Sequence, residues 1–244
     1  HFDRVVHVRC DLWIHAGPLM DRNNRTAWEG TVVIVLSILF IILIERCSRA
    51  RKAEAHSGHD HIPPAAEQYR RQLIREVRYY FGLREPVSPF AAQIHQESGW
   101  RSGICSMFAC GLTQFTEGTA KDMARMYPRD LNGKATPLDP RWALKAQALY
   151  MRKLDKDFQT PDRWETRAFA LAAYNGGSGW IRRERKACAE DSDFDFPSSS
   201  CDPMKWFLHV ERFCKRADWA CEENRAYPRK ILFRWEPLYR KAGW

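Results

Sequence analysis

From Ala65 onwards, apolar side chains recur at helical spacing, and this periodicity most constrains the fold. Leu73, Val77 and Tyr80 are four and three residues apart, which places them on one face of a helix, with Tyr69 one turn earlier. No convincing run of alternating apolar and polar residues, as expected of a half-buried strand, is present. The chain after Ala65 is therefore predicted to be mostly α-helical.

Proline residues indicate where further helices begin. Pro89 is predicted to open a helix that Gly99 ends, since proline suits the first turn and glycine the residue after the last turn. Three further helix starts are predicted where proline follows an N-cap residue, at Asp139-Pro140, Thr160-Pro161 and Asp202-Pro203.

The eight cysteines point to disulfide bonds. Cys10 and Cys47 flank an apolar stretch, and the remaining six contain no C-x-x-C pair, which argues against a zinc ribbon or a thioredoxin-type motif. Three locally spaced pairs indicate disulfides and an oxidising compartment, whereas six buried free thiols in a cytosolic protein are the alternative. On proximity alone, the predicted pairs are Cys105–Cys110, Cys188–Cys201 and Cys214–Cys221.

An apolar run near the N-terminus is a candidate membrane segment. No residue from Gly30 to Ile44 is charged, but the run is shorter than the roughly 20 residues that span a bilayer core comfortably. A signal-peptide core, a short anchor and a buried core helix are the alternatives. Four basic residues precede the nearest small-residue cleavage site, at Ala53–Ala55, which argues against cleavage. We expect residues 30–45 to form an uncleaved anchor helix, preceded by an N-terminal extension over residues 1–29.

Residues 46–65 are predicted to be a linker, because a basic stretch is followed by a polar one and by Pro63-Pro64. The linker contains His56, His59, Asp60 and His61. A metal site is one interpretation of that cluster, but exposed histidines in a flexible segment are more common, and we predict no metal site.

The formal net charge of +9 indicates affinity for an anionic partner or simply a solvated basic surface. No recognisable nucleic-acid-binding motif accompanies the charge, so nucleic acid is not predicted as a partner.

Three short segments carry side chains suited to chemistry: Gln96–Trp100 (QESGW), Cys110–Phe115 (CGLTQF) and Ala172–Gly177 (AAYNGG). Glu97 is expected near a helix end walled by aromatic rings such as Trp100. Partial desolvation there raises the pKa of a carboxyl group and keeps it protonated near neutral pH. Such an acid can protonate the leaving oxygen of a glycosidic bond, although a glutamate at a helix end is by itself more often a surface residue.

The order of E-S-G, G-L-T-Q-F and A-Y-N-G-G resembles the catalytic domain of soluble lytic transglycosylases, which are relatives of goose-type lysozyme. A fourth segment, Glu223–Leu232, is similar to the E-[TN]-R-x-Y element of that family. The resemblance covers roughly Pro86 to Trp244. The sequences of the motifs are most similar to those of members encoded by phages and mobile elements. It implies a mostly α, lysozyme-like transglycosylase domain over residues 66–244.

The resemblance implies cleavage of the β-1,4 bond between N-acetylmuramic acid and N-acetylglucosamine without water, leaving a 1,6-anhydro end. Glu97 is implied to protonate the leaving oxygen and then to take the proton of the muramyl 6-hydroxyl. One carboxylate suffices because the substrate supplies the nucleophile, whereas an ordinary glycosidase needs two. The downstream carboxylates Glu117 and Asp122 are predicted on a separate helix. A lysozyme-type hydrolase and a catalytically inert wall-binding component are the alternatives, and no cofactor is implied.

The resemblance also implies a set of substrate-binding residues: Ser106, Gln114, Phe115, Tyr174, Asn175 and Tyr227. For Tyr174 and Tyr227 core packing is the competing interpretation, and for Asn175 it is helix capping. Two departures from the family pattern stand out. The loop around Ser106 is one residue shorter, and residues 183–222 contain a cysteine-bearing insertion.

The expected partners are peptidoglycan glycan strands, the membrane through residues 30–45, and phage or secretion-apparatus proteins. The topology of the anchor is ambiguous. Basic residues are more numerous after the apolar run than before it, which places the following domain in the cytoplasm, whereas disulfides and a cell-wall substrate favour the periplasm. We expect an inner-membrane anchor with a periplasmic domain, or a phage-associated protein.

Overall fold

The computed structural model describes residues 61–191 and 201–244, and within these ranges the prediction of a mostly helical domain is confirmed. The helices are α1 (Ala65–Phe81), α2 (Ser88–Ser98), α3 (Glu117–Met126), α4 (Pro140–Asp157), α5 (Arg163–Gly176), α6 (Ser178–Glu190), α7 (Asp218–Arg229) and α8 (Glu236–Lys241). A 3-10 helix (Val210–Phe213) precedes α7, and a π-helix (Lys230–Trp235) joins α7 to α8. A short antiparallel hairpin pairs β1 (Ala109–Cys110) with β2 (Phe115–Thr116).

The predicted anchor over residues 30–45, the extension before it and the linker up to Asp60 lie outside the described residues. So do His56, His59 and Asp60 of the histidine cluster. Among the described residues, the helices are all too short or too polar to cross a membrane.

The predicted inner face of α1 is confirmed. Leu73 and Val77 are fully buried, Tyr80 is buried and Tyr69 partly so, and the helix packs mainly against α4. Burial of one apolar stripe is what holds an amphipathic helix in place.

Helix α2 begins and ends as predicted. It carries Pro89 in its first turn, and Gly99 ends it in the left-handed conformation with φ 57°. Because a side chain is strained in that region, glycine suits the position. Phe90 and Ile94 anchor α2 in the core.

The three predicted N-caps have different outcomes. Asp139 caps α4, accepting a hydrogen bond from the backbone N–H of Arg141 at 2.9 Å. After Thr160-Pro161, the helix starts two residues later than predicted, because the Asp162 side chain accepts from the N–H of Trp164 at 2.8 Å and is the cap.

The helix predicted after Asp202-Pro203 is wrong. Asp202 accepts from the N–H of Met204 at 2.8 Å, as an N-cap would, but a turn follows. The N–H of Trp206 donates instead to the Glu165 carboxylate at 2.8 Å, and Leu208 has a positive φ of 64°. A tertiary contact therefore takes the donor that a new helix would use.

The C-terminal segment, formed by the π-helix and α8, packs against α2. Pro228 lies inside α7, and the π-helix directly precedes α8, whose second residue is Pro237. Proline has no N–H to donate to the carbonyl four residues earlier. The α-helical hydrogen-bond pattern is therefore interrupted at both positions. The π-helix packs against α2, which carries Glu97.

A buried ion cluster connects the loop after α1 with α4 and α5. Arg167 Nη2 lies 2.6 Å from Glu85 Oε1 and 3.2 Å from Asp155 Oδ2, and the more exposed Arg163 approaches the same two carboxylates. The Arg167 guanidinium also lies 4.5 Å from the ring centroid of Phe90, in α2. The cluster therefore braces the helix that carries the candidate acid.

All three predicted disulfides are confirmed: Cys105–Cys110, Cys188–Cys201 and Cys214–Cys221. The first closes the loop before the hairpin. The second spans residues 192–200, which lie outside the described ranges, and the third ties the chain before α7 to its first turns.

Candidate active site

Glu97 is the penultimate residue of α2 and is half-buried. Its Oε1 accepts a hydrogen bond from the hydroxyl of Tyr227, which is buried in α7. The two residues are 130 positions apart, so the packing of the C-terminal helices against α2 creates this contact. The carboxyl group is thus held at one oxygen.

Burial is the main reason why the pKa of Glu97 rises from its ordinary value to about 8. The hydrogen bond from Tyr227 opposes this rise, because it favours the charged form, and the nearby negative charge of Glu223 adds to it. At neutral pH the Glu97 side chain is therefore mostly a neutral acid with a proton to give. A pKa raised by partial burial is what the sequence predicted for this carboxyl group.

Tyr174, in α5, is the second tyrosine of the site. Its hydroxyl donates to the backbone carbonyl of Thr113 at 2.7 Å, which ties the end of α5 to the loop before β2. The pKa of Tyr174 is raised well above its usual value, first by burial and then by the charge of Glu97. The electrostatic influence of Glu97 on Tyr174 means that the two groups belong to one site.

Glu223 is the residue near the acid that sequence reasoning missed. It is exposed on α7, one helical turn before Tyr227, and its charge contributes to the raised pKa of Glu97. Residues four apart share one helix face, so the Glu-x-x-x-Tyr spacing could have placed both side chains towards the acid. Only Glu117 and Asp122 were considered as partner carboxylates from the sequence, and Glu223 was overlooked.

Asn175 connects α5 to α7. Its side-chain N–H donates to Glu223 Oε1 at 3.2 Å, and its carbonyl oxygen accepts from Asn224 Nδ2 at 2.9 Å. At the next residue, Gly176, a Cβ would lie only 2.6 Å from Asn224 Nδ2, so a larger residue would displace the Asn224 side chain. Asn175 thus helps to fix the position of Glu223.

Gln114 braces the loop that follows the disulfide Cys105–Cys110. Its backbone adopts a positive φ of 46°, and its side-chain Nε2 donates to the carbonyls of Gly111 at 2.8 Å and Ile104 at 3.3 Å. It directly follows Thr113, to which Tyr174 is bonded, so the loop borders the site.

The hydroxyl of Ser106 is used within its own loop. It donates to the carbonyl of Ala109 at 3.2 Å and accepts from the N–H of Ala109 at 3.0 Å. The neighbouring Met107 and Phe108 are exposed. The role of Ser106 in the cleft remains a prediction.

Phe115 and Trp100 both lie in the core. Phe115 is 2% exposed, and its ring contacts Tyr174 with centroids 5.7 Å apart, which favours support of Tyr174 over the predicted contact with a sugar. Trp100, predicted as part of the wall around the acid, packs against Tyr239 and Trp244.

Residues 84–196 match the family model described as "Transglycosylase SLT domain". This match includes Glu97, Gln114 and Tyr174. This part of the chain is therefore a domain of the SLT transglycosylase type.

Two relatives illustrate the similarity. The chain is 34% identical over 132 residues to "Membrane-bound lytic murein transglycosylase F" of Pseudomonas fluorescens, covering 52% of this chain and 23% of that protein. It is 32% identical over 109 residues to "Soluble lytic murein transglycosylase" of Escherichia coli, covering 43% of this chain and 16% of the relative. The similarity thus spans less than a quarter of each relative's length.

The crystal structure of the 70 kDa soluble lytic transglycosylase from Escherichia coli has the same fold. It matches with a TM-score of 0.51 and 24% identity, over 69% of this chain and 24% of that one. The predicted lysozyme-like helical fold is therefore confirmed for the domain, whereas the predicted anchor helix in front of it stays a prediction.

Proposed function

We propose that this chain is a peptidoglycan lytic transglycosylase that cleaves the MurNAc–GlcNAc β-1,4 bond without water and leaves 1,6-anhydro-MurNAc ends. The observation that carries the proposal is the half-buried Glu97, with a pKa of about 8 and one oxygen held by Tyr227. The match of the surrounding domain to the transglycosylase family supports it.

In the first step, neutral Glu97 gives its proton to the glycosidic oxygen as the bond from that oxygen to the anomeric carbon breaks. The departing N-acetylglucosamine leaves with a hydroxyl group, and positive charge develops on the muramyl ring. The Glu97 carboxylate formed in this step is stabilised by the hydrogen bond from Tyr227.

In the second step, the carboxylate takes the proton of the muramyl 6-hydroxyl while that oxygen bonds to the anomeric carbon. Glu97 returns to its starting state, and no water is consumed. The attack is intramolecular, so it has the advantage of a high effective concentration. One carboxyl group therefore serves as acid and then as base.

Ser106, Gln114, Tyr174 and Asn175 are proposed to hold the glycan. Three observations support this: the charge of Glu97 acts on Tyr174, the loop that contains Gln114 accepts the hydrogen bond of the Tyr174 hydroxyl, and Asn175 donates to Glu223. Ser106 and the exposed Phe108 lie in the loop that the disulfide Cys105–Cys110 closes. Ile104 and Gly111, whose carbonyls accept hydrogen bonds from Gln114, flank that loop.

The products test the chemistry. Purified peptidoglycan digested by the protein is expected to release muropeptides with anhydro ends, each one water lighter than the hydrolysis product. Mass spectrometry of a digest made in oxygen-18 water measures this, because hydrolysis adds the heavy oxygen to the new reducing end and intramolecular closure does not. Fragments that carry the heavy oxygen would contradict a lytic reaction.

A lysozyme-type hydrolase is the second candidate, and Glu223 is the observation that favours it. A second carboxylate near the acid is what a hydrolase uses to activate water. On that mechanism, heavy-oxygen ends would form and Glu223→Gln would abolish them. An inert wall-binding component, the remaining alternative, would release no fragments at all.

The pH dependence follows from the raised pKa. Because the first step needs the proton on Glu97, kcat/KM is expected to be high below pH 8 and to fall as the pH rises through about 8. Initial rates on soluble glycan fragments between pH 5 and pH 10 measure this. A rate that instead rises with pH through the pKa of Glu97 would show that Glu97 acts as a base from the start.

The cellular setting is proposed from the sequence. The sequences of the motifs favour a phage or mobile-element protein used in lysis, DNA entry or transfer. Secretion-apparatus or phage proteins are the proposed partners. The three disulfides fit an oxidising compartment such as the periplasm, with residues 30–45 as the proposed inner-membrane anchor. Reporter fusions after residue 65 test that topology.

A further inference from the structure

Two buried glutamines lie directly behind Tyr227. Gln147, in α4, is fully buried, and Gln93, in α2, is 1% exposed. Gln147 Nε2 donates to Gln93 Oε1 at 2.9 Å, and Gln93 Nε2 donates to the Tyr227 hydroxyl oxygen at 3.2 Å. A continuous line of hydrogen bonds therefore runs from Gln147 through Gln93 and Tyr227 to Glu97.

The direction of the first two bonds is determined by their neighbours. Gln147 Nε2 also donates to the backbone carbonyl of Phe90 at 3.2 Å, so this amide faces two acceptors and its N–H2 group has to point at them. If the Gln93 amide were reversed, its own N–H2 group would face the donor of Gln147. Gln93 must therefore turn its oxygen towards Gln147 and its nitrogen towards Tyr227.

The direction of the third bond follows from the second. The Tyr227 hydroxyl has a single hydrogen, and its oxygen already accepts from Gln93. Its hydrogen is therefore free to point at Glu97 Oε1, the oxygen that it contacts. A carboxyl oxygen that accepts this bond is disfavoured as the site of the acid's own proton, which leaves Glu97 Oε2 as the protonated oxygen.

We propose that Gln93 and Gln147 are positioning residues which fix the direction of the Tyr227 hydroxyl, so that Glu97 is held through Oε1 and keeps its transferable proton on Oε2. The role of that proton in cleavage rests on the proposed function. The arrangement of the four side chains does not, so it can be tested without substrate.

The test is the pKa of Glu97, followed by carbon-13 NMR of its side-chain carboxyl carbon, with Glu97→Gln used to assign the signal. Tyr227→Phe removes the donor, and it is expected to raise the pKa of Glu97 by about one unit. Gln93→Met keeps the size of the side chain but removes its hydrogen-bonding groups. It is expected to raise the pKa by about half a unit, because an unpolarised and unrestrained hydroxyl is a weaker donor.

The double variant distinguishes an effect that Gln93 exerts through Tyr227 from a general disturbance of the fold. If Gln93 acts only through Tyr227, Gln93→Met added to Tyr227→Phe shifts the pKa no further. Gln147→Met is a second single variant, and it is expected to raise the pKa of Glu97 as Gln93→Met does. It replaces Gln93→Met in the test if that variant does not fold. Ser88→Ala is the matched control, since it removes another buried hydrogen bond of α2, at 2.8 Å to Glu236, far along the helix from Glu97.

The proposal predicts that Ser88→Ala lowers the melting temperature without moving the pKa of Glu97. In the cleavage assay, Gln93→Met is expected to lower kcat about fivefold with little change in KM. An unchanged pKa in folded Gln93→Met or Gln147→Met, or a full extra shift in the double variant, would overturn the positioning role. Retained cleavage by Glu97→Gln would instead overturn the proposed function, whatever the NMR result.

Discussion

Glu97→Gln is expected to lower the cleavage of purified peptidoglycan by about 10³-fold, which is the contribution that a positioned acid makes. Glutamine has the size of glutamate, and its carbonyl oxygen can still accept the hydrogen bond from Tyr227. It has no acidic proton for the leaving oxygen and cannot serve as the base in the second step. The release of soluble muropeptides measures the effect.

The matched control for this variant is Glu117→Gln. Glu117 is an exposed carboxylate at the start of α3, paired with Lys121, and its loss should leave the rate unchanged. Circular dichroism and thermal melting should show Glu97→Gln to be folded. Cleavage by folded Glu97→Gln at close to the wild-type rate would rule out the proposed acid.

Arg167→Met is expected to have the largest effect on stability, lowering the free energy of unfolding by about 3–5 kcal/mol. Arg167 is the buried cation between Glu85 and Asp155, and burial already raises the pKa of Asp155 against the attraction of Arg167 and Arg163. Removal of Arg167 leaves two poorly compensated carboxylates inside the domain. Urea unfolding followed by tryptophan fluorescence measures the change.

Arg163→Met is the control for this prediction. Arg163 reaches the same two carboxylates, but more than half of its side chain is exposed, so its loss should cost less than about 1 kcal/mol. Similar losses for the two variants would mean that the cluster does not brace the domain as described.

The helical part of the fold could be predicted because its signals are local. The inner face of α1, the ends of α2 and the Asp139 cap of α4 all depend on neighbours within a few residues. The three disulfides followed from proximity along the chain. The short hairpin was not predicted, because strands of two residues are too brief to show an alternating pattern.

The prediction of helix starts failed where contacts with other residues, not the local sequence signal, determine the structure. At Asp202-Pro203 the local signal for a helix is present, but Glu165 in α5 takes the backbone N–H of Trp206. The start of α5 moved because Asp162 is a stronger cap than Thr160. In both cases the competing group was visible in the sequence, but its geometry was not.

The candidate site was predicted only in part. The family motifs gave Glu97, Gln114, Tyr174 and Tyr227, and the structure brings the acid and the two tyrosines together. Burial of Gln93 and Gln147 behind Tyr227 could not be inferred, because polar residues on helices are usually exposed. Their contacts with Tyr227 depend on how α2, α4 and α7 pack.

The central physical claim is that the carboxyl group of Glu97 stays protonated at neutral pH, and its titration in the wild-type protein tests this most directly. Carbon-13 NMR of that carboxyl carbon, recorded from pH 3 to pH 10, should show a midpoint near pH 8. A midpoint close to the ordinary glutamate value of 4.5 would contradict the account, because Glu97 would then have no proton to give at neutral pH.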